Sequence, residues 1–308
     1  MPLHKKIRDI IEQTNDANLP PLKDQPLKLI RDAFFKMRIL QGEGCALPKV
    51  ESLSIPSVGG EILLRLYYPH LKDNLPVALY FHGGGYVKGS VESSDALCRN
   101  LCAQSGVVIA SCGFRLAPEY QFPAPIDDGE LAVRYLMKNG PQLGLNPAYM
   151  ALIGDSSGGH LVASVIKRLA KANLLPKLQV LVTPILDYTC SLPSHEEFAK
   201  GYLLEEESLS FYRDQFVPKD HPLDDPNLSP YLQESLDGLP DTLIITAEYD
   251  PVRDEGEMYG QKLLKAGVAT TLHRYEGVTH GFFQMGGVLE EGRLAIKEVA
   301  KKLQETLH

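Results

Sequence analysis

The chain has 308 residues, 44% of them hydrophobic and 23% charged, which suits a large packed core and is too apolar for an unfolded chain. Its formal net charge of −8 lacks the basic surface that a nucleic-acid backbone demands, and no stretch approaches the roughly 18 apolar residues of a membrane span. Chains of this length around a single sheet are ordinary among α/β enzymes, so one catalytic domain with a small accessory part is expected.

Residues 1–45 read as amphipathic helices broken at Leu19-Pro20-Pro21. Asp9, Glu12 and Asp16 interrupt the stretch where a secretion signal would be apolar, and the five cysteines are scattered, odd in number and without metal-ligand spacing. A cytoplasmic protein with free thiols is therefore expected. In residues 61–68, Ile62, Leu64 and Leu66 alternate onto one face of a half-buried strand. Short apolar runs follow at 76–81, 107–111, 150–153, 178–182 and 242–247, each suited to burial on both faces of a parallel sheet, and a further strand spans 270–275. Between them, segments 93–104, 126–138, 157–172, 252–266 and 289–307 carry apolar residues three and four apart, the pattern of helices packed on a sheet. Cys98 and Cys102 share a face of the first of these and are read as small core residues rather than a redox pair.

The polar, proline-punctuated segment at about 188–238 breaks the alternation. Neither it nor residues 1–45 has the apolar content for a core of its own, so the two are expected to pack together as a helical cap. The organisation read from this is N-terminal cap helices over 1–45 and an α/β catalytic domain over 46–308 that carries the cap insertion. No internal repeat or low-complexity tract is visible.

Gly154-Asp155-Ser156-Ser157-Gly158-Gly159 follows a predicted strand and opens a predicted helix, the setting in which G-x-S-x-G exposes a serine on a sharp turn. Upstream, the strand at 76–81 runs into His82-Gly83-Gly84-Gly85-Tyr86. Consecutive glycines free the N–H groups of Gly83, Gly84 and Gly85 to converge on an oxyanion, each donor contributing about 3–4 kcal/mol, and Ser157 adds its own N–H. No P-loop ending or dinucleotide fingerprint accompanies these glycines, and His82 is read as structural.

A serine of ordinary acidity needs a base within hydrogen-bond reach and an acid to hold that base in the right tautomer. The strand at 242–247 leads to Glu248-Tyr249-Asp250-Pro251, and that at 270–275 to His280-Gly281-Phe282. The order Ser156, Asp250, His280 is that of an α/β-hydrolase triad. Asp250 is preferred over Glu248, Asp254 and Glu255 because it sits in the loop just past a strand, and His273 lies inside one. No histidine has metal-site spacing, so neither metal nor cofactor is expected.

HGGG at 82–85, FRLAPE at 114–119, GDSSGG at 154–159, EYDPVRDE at 248–255 and HGF at 280–282 occur in this order. Over about residues 75–305 the chain thereby resembles the hormone-sensitive-lipase-like branch of the α/β-hydrolases, which includes bacterial short-chain esterases and plant carboxylesterases. The resemblance implies the α/β-hydrolase fold, the triad Ser156, Asp250 and His280, an oxyanion hole of Gly84, Gly85 and Ser157, and a cap of the N-terminal helices with the later insertion. It also implies that Arg115 and Glu119, with Asp127 and Asp128, brace the sheet beneath the site. Phe114 stands where the family usually has tyrosine.

The expected reaction is hydrolysis of small-molecule carboxylic esters through an acyl-enzyme, rising with pH near 6–7 as a histidine base loses its proton. Short acyl chains are expected because the cap is short and lacks a long apolar lid. Tyr86, Tyr202, Phe211 and Tyr212 are candidate pocket residues. A non-catalytic small-ligand receptor and an amidase are the alternatives on the same fold, the first disfavoured by the presence of His280. If two copies pair, residues 267–275 and 289–307 are the expected surfaces.

Overall fold

A computed structural model describes residues 1–308. In chain order the main elements are α1 (Lys5–Asp16), α2 (Leu27–Lys36), β1 (Lys49–Ser57), β2 (Gly60–Tyr68), β3 (Leu75–Phe81), α3 (Asp95–Ser105), β4 (Val108–Gly113), α4 (Ala124–Asn139), β5 (Leu145–Asp155), α5 (Ser157–Lys171), β6 (Leu178–Val182), α6 (Pro193–Glu197), α7 (Glu206–Phe216), β7 (Asp241–Tyr249), α8 (Arg253–Lys265), β8 (Thr270–Thr279) and α9 (Glu290–Leu307). The strands form one 8-stranded sheet in the order β1-β2-β4-β3-β5-β6-β7-β8. β1, β2 and β4 are joined by antiparallel pairings, and every pairing from β4 to β8 is parallel.

All of β3, β5 from Met150 to its end and all of β6 are buried, as their apolar runs require. Side chains alternate between two cores. Val77, Leu79 and Phe81 of β3 join a core shared with α4, α5 and α8, whereas Ala78 and Tyr80 face a second shared with α3 and α9. Cutting Leu79, fully buried between these layers, to alanine would cost about 2–5 kcal/mol.

The chain goes from β3 outward to β4 and then crosses back to β5 on the other side, so the strand order reverses between β3 and its neighbours. Loops at the carboxyl ends of strands flanking such a reversal diverge and leave a crevice. Phe81 is in register with Gly154, and Asp155 with Val182, which brings residues 82–85, Ser156 and the start of the insertion together at that crevice.

β1 was not anticipated from the sequence. It pairs with β2 along its whole length at the sheet edge and is mostly half-exposed, so its composition carries little apolar signal. Strand β8 runs four residues beyond its expected end, and Gly277-Val278-Thr279 deliver His280 to the crevice.

The N-terminal segment docks largely on the sheet domain. Ile7 is buried in the second core, the His4 N–H donates to Gly277 O at 2.8 Å, and the terminal ammonium lies 2.8 Å from Glu248. Arg31 fixes α2 through Glu119 at 2.6 Å and the carbonyls of Val87 and Ala117. Glu119 is therefore a half-exposed tether for α2 and not part of a buried brace beneath the site, and Asp127 pairs with Arg168 at the surface. The buried brace consists of Arg115 and Asp128, the latter 1% exposed, joined by two-pronged bonds of 2.7–3.0 Å. Cys98 and Cys102 are buried in the second core, unpaired.

Candidate active site

Ser156 sits between β5 and α5 with φ 56° and ψ −122°, a region that only a tightly constrained non-glycine residue occupies. Its N–H is bonded to Val182 O at 2.8 Å, which holds the turn against β6. The turn also needs Gly158, where a Cβ would stand 2.0 Å from Phe81 O. Packed this tightly, the backbone thrusts the Ser156 side chain outward. Its Oγ lies 2.7 Å from His280 Nε2, and His280 Nδ1 lies 2.8 Å from Asp250 Oδ2. Asp250 is fully buried, and its other oxygen accepts the Val252 N–H at 3.0 Å.

The rival acids are occupied elsewhere. Glu248 accepts from the N-terminus and the Gly277 N–H, Asp254 from Arg253 and the Ser194 N–H, and Glu255 from His195 and the N–H groups of Leu186 and Asp187. His273 pairs with Glu298 on the exposed side of β8. His82 is buried, stacked on Phe114 with ring centroids 4.4 Å apart, and burial lowers its pKa despite the Gly83 carbonyl beside it.

The glycine loop divides differently from the expectation. The Gly83 N–H donates to Asp155 Oδ1 at 3.1 Å, so Gly83 is not a free oxyanion donor. The N–H groups of Gly84 and Gly85 have no acceptor in the protein, and Ser157 opens α5, where the N–H lies outside the helical ladder. Asp155 is held further by the Tyr80 hydroxyl at 2.5 Å and by Gln284 Nε2 at 3.2 Å.

A cavity of about 270 Å³ opens over Ser156 and His280. Gly84, Gly85 and Lys88 form one side. The insertion contributes Leu203, Leu204, Leu209 and Tyr212, and the N-terminal segment Ile10, Phe34, Met37 and Leu40. A more open depression beside α9 lacks the serine and the histidine.

Of the four aromatic pocket candidates only Tyr212 reaches this cavity. Tyr86 is buried behind the loop, stacked on Phe216 at 3.8 Å with its hydroxyl 2.5 Å from His160 Nδ1. Tyr202 packs on Tyr249 and Phe198, and Phe211 lies edge-on to Tyr212 outside the cavity lining. Sequence reasoning missed Lys88 and the leucines of the insertion; the amphipathic pattern of the N-terminal helices was the one available signal for the residues they contribute to the lining. No group of three or more His, Cys, Asp and Glu side chains is arranged to hold a metal ion.

A serine, a histidine and a buried carboxylate in a continuous chain of hydrogen bonds, beside unspent backbone N–H groups, can attack a carbonyl and stabilise the resulting oxyanion. A family model described as alpha/beta hydrolase fold matches residues 78–284. The chain is 38% identical over 266 residues to ethyl acetate hydrolase of Pseudomonas putida, covering 84% of this chain and 83% of that one. It is 31% identical over 284 residues to an arylesterase of Saccharolobus solfataricus, covering 92% of each. Among solved structures, a hyperthermophilic esterase from the archaeon Pyrobaculum calidifontis aligns with a TM-score of 0.94 at 36% identity, covering 99% of both chains.

Proposed function

Because the chain belongs to this alpha/beta hydrolase family and is a carboxylic-ester hydrolase acting on small esters, we propose that Ser156 is its nucleophile, His280 its base and Asp250 the group that orients the base. The observation that carries this is the unbroken hydrogen-bond chain from Ser156 through His280 to Asp250, opening on the cavity. His280 Nε2 takes the Ser156 proton as Oγ bonds to the ester carbonyl carbon, and the N–H groups of Gly84, Gly85 and Ser157 receive the oxyanion. The carbonyl–alkoxy bond then breaks, and His280 returns the proton to the leaving alcohol. Water repeats the sequence on the acyl-enzyme and releases the acid.

In this reading α1, α2 and the insertion act as a cap over the serine, and they confine the acyl group. The cavity of about 270 Å³ is small beside the roughly 300–1,000 Å³ of sites for drug-sized ligands, which favours short esters. Five unpaired cysteines favour a cytoplasmic setting. No helix is long and apolar enough to cross a membrane. If two copies pair, residues 267–275 along the edge strand β8 and residues 289–307, largely α9, are the surfaces that would meet.

Hydrolysis of p-nitrophenyl esters from acetyl to palmitoyl, with Ser156→Ala beside the wild type, tests this reading. Turnover highest on acetyl or butyryl esters and lost in the variant is expected; turnover that survives Ser156→Ala, or that favours palmitoyl esters, rules out the nucleophile or the size class respectively.

A further inference from the structure

The cavity wall carries two cations that the reaction sequence above leaves unused, Arg38, whose guanidinium lies 4.2 Å from the Phe35 ring centroid, and Lys88. Lys88, three residues past the last glycine of the loop, is half-buried and lines the same cavity as Ser156 and His280. Its Nζ donates to the Tyr212 hydroxyl and lies 4.9 Å from the Phe34 ring centroid. No carboxylate lies within ion-pairing distance of it, although the chain as a whole carries a net charge of −8. The single carboxylate in the cavity wall is Asp155, already bonded by Tyr80, Gly83 and Gln284.

The donor inventory is uneven. An ammonium has three N–H donors and Lys88 spends one. Tyr212 accepts that bond, which leaves its own O–H without an acceptor, while only 8% of the residue is exposed. Two unspent N–H groups and one unspent O–H thus stand side by side in a largely apolar wall, where donors without acceptors are costly. They also stand against the oxyanion side of the site. A Cβ on Gly84 would lie 3.1 Å from the Lys88 Cγ, and one on Gly85 would lie 2.4 Å from the Tyr212 ring.

We propose that Lys88 and Tyr212 form a recognition site for a free carboxylate carried by the ester itself, a few bonds from the scissile carbonyl. The preferred substrates are then half-esters of short dicarboxylic acids or acylated short hydroxy acids. A carboxylate would take two charge-assisted hydrogen bonds there, short and roughly twice as strong as neutral ones. The proposal rests on the ester-hydrolase reading of the site and names its substrate class.

The test is a ratio. Release of acid from monoethyl glutarate is measured against its neutral isostere, with isopropyl in place of the free carboxylate; the acetate ester of a short hydroxy acid and its isostere form a second pair, which separates acyl-side from alcohol-side recognition. In at least one pair the anionic-to-neutral ratio of kcat/KM is expected to fall about tenfold in Lys88→Met, to recover in part in Lys88→Arg, and to fall in the wild type as salt rises. The wild-type salt series serves even if the variants do not fold. Ratios in both pairs that respond neither to salt nor to Lys88→Met overturn the proposal while leaving the esterase intact. No turnover of either neutral isostere or of any p-nitrophenyl ester overturns the underlying reading, and the proposal with it.

Discussion

Gln284 donates from Nε2 to Asp155 Oδ2 at 3.2 Å and to the Tyr80 hydroxyl at 2.9 Å, joining the turn after His280 to the strand end that presents Ser156. The other Asp155 oxygen receives the Gly83 N–H, so one buried carboxylate sets the glycine loop against both the serine and the histidine segment. Gln41, just past α2, completes the frame by donating to Gln284 Oε1 at 2.8 Å. Gln284→Leu removes a donor from a buried carboxylate, which costs about 1–3 kcal/mol of stability. We expect kcat to fall about tenfold with KM nearly unchanged, since the groups that would be displaced act on the reacting atoms and not on the rest of the substrate. Steady-state kinetics with denaturant titration check this; a fall in stability with kcat intact would make the frame a purely structural one.

Asp250→Asn tests the orienting role separately from the nucleophile. The amide presents a donor where His280 Nδ1–H needs an acceptor, so the ring is stabilised in the tautomer that cannot take the serine proton. A loss of about four orders of magnitude in kcat, with KM and the far-ultraviolet dichroism little changed, is the expected result. A loss below about tenfold would move the orienting role to another acid.

The proposed triad was legible because Ser156 and Asp250 each follow a short apolar strand whose burial the composition announces, whereas His280 follows the largely polar β8 and was read from the His280-Gly281-Phe282 loop and the order of the three residues. The cavity wall was not. On α7, neighbouring residues differ by about 100° in direction, so Tyr212 faces the cavity and Phe211 does not, and nothing in a polar 11-residue helix fixes that phase in advance. The fate of the Gly83 N–H depends on the pairing of β3 with β5, a contact between residues 72 positions apart. Edge strand β1 was hidden for the converse reason, since a half-exposed strand has little apolar alternation to read.

Gly85→Ala probes the contact between the glycine loop and the insertion. Gly85 has φ +63°, and an added Cβ would meet the Tyr212 ring at 2.4 Å, so the variant must move the loop, α7 or both. Displacing an oxyanion donor costs about 10²–10³ in kcat. We expect a loss of that size for wild-type Tyr212 and partial recovery in the double variant Gly85→Ala with Tyr212→Ala, which clears the ring away. Additive losses in the double variant would show that the backbone conformation alone, and not the ring, requires glycine.

Stability should fall on the alkaline side through a pair outside the catalytic chain. His195 of α6 lies 2.6 Å from Glu255 of α8, which is fully buried and also accepts the backbone N–H groups of Leu186 and Asp187. Burial opposes a charge on His195, but the nearby Cys190 and the Glu255 carboxylate, which accepts its hydrogen bond, outweigh that and raise its pKa from 6.5 to about 10. Burial also pushes the Glu255 carboxyl up, yet three donors converge on its oxygens, so the charged pair is the state we assign. Because the folded value lies above the unfolded one, the stabilisation is complete below pH 6.5 and is lost progressively as the pH rises through about 10. The melting temperature of the wild type should therefore decline between these values, whereas in His195→Gln it should be lower at neutral pH and flatter across the same window. Parallel curves for the two proteins would mean that His195 is neutral in the folded chain, and that Glu255 is held by the backbone alone.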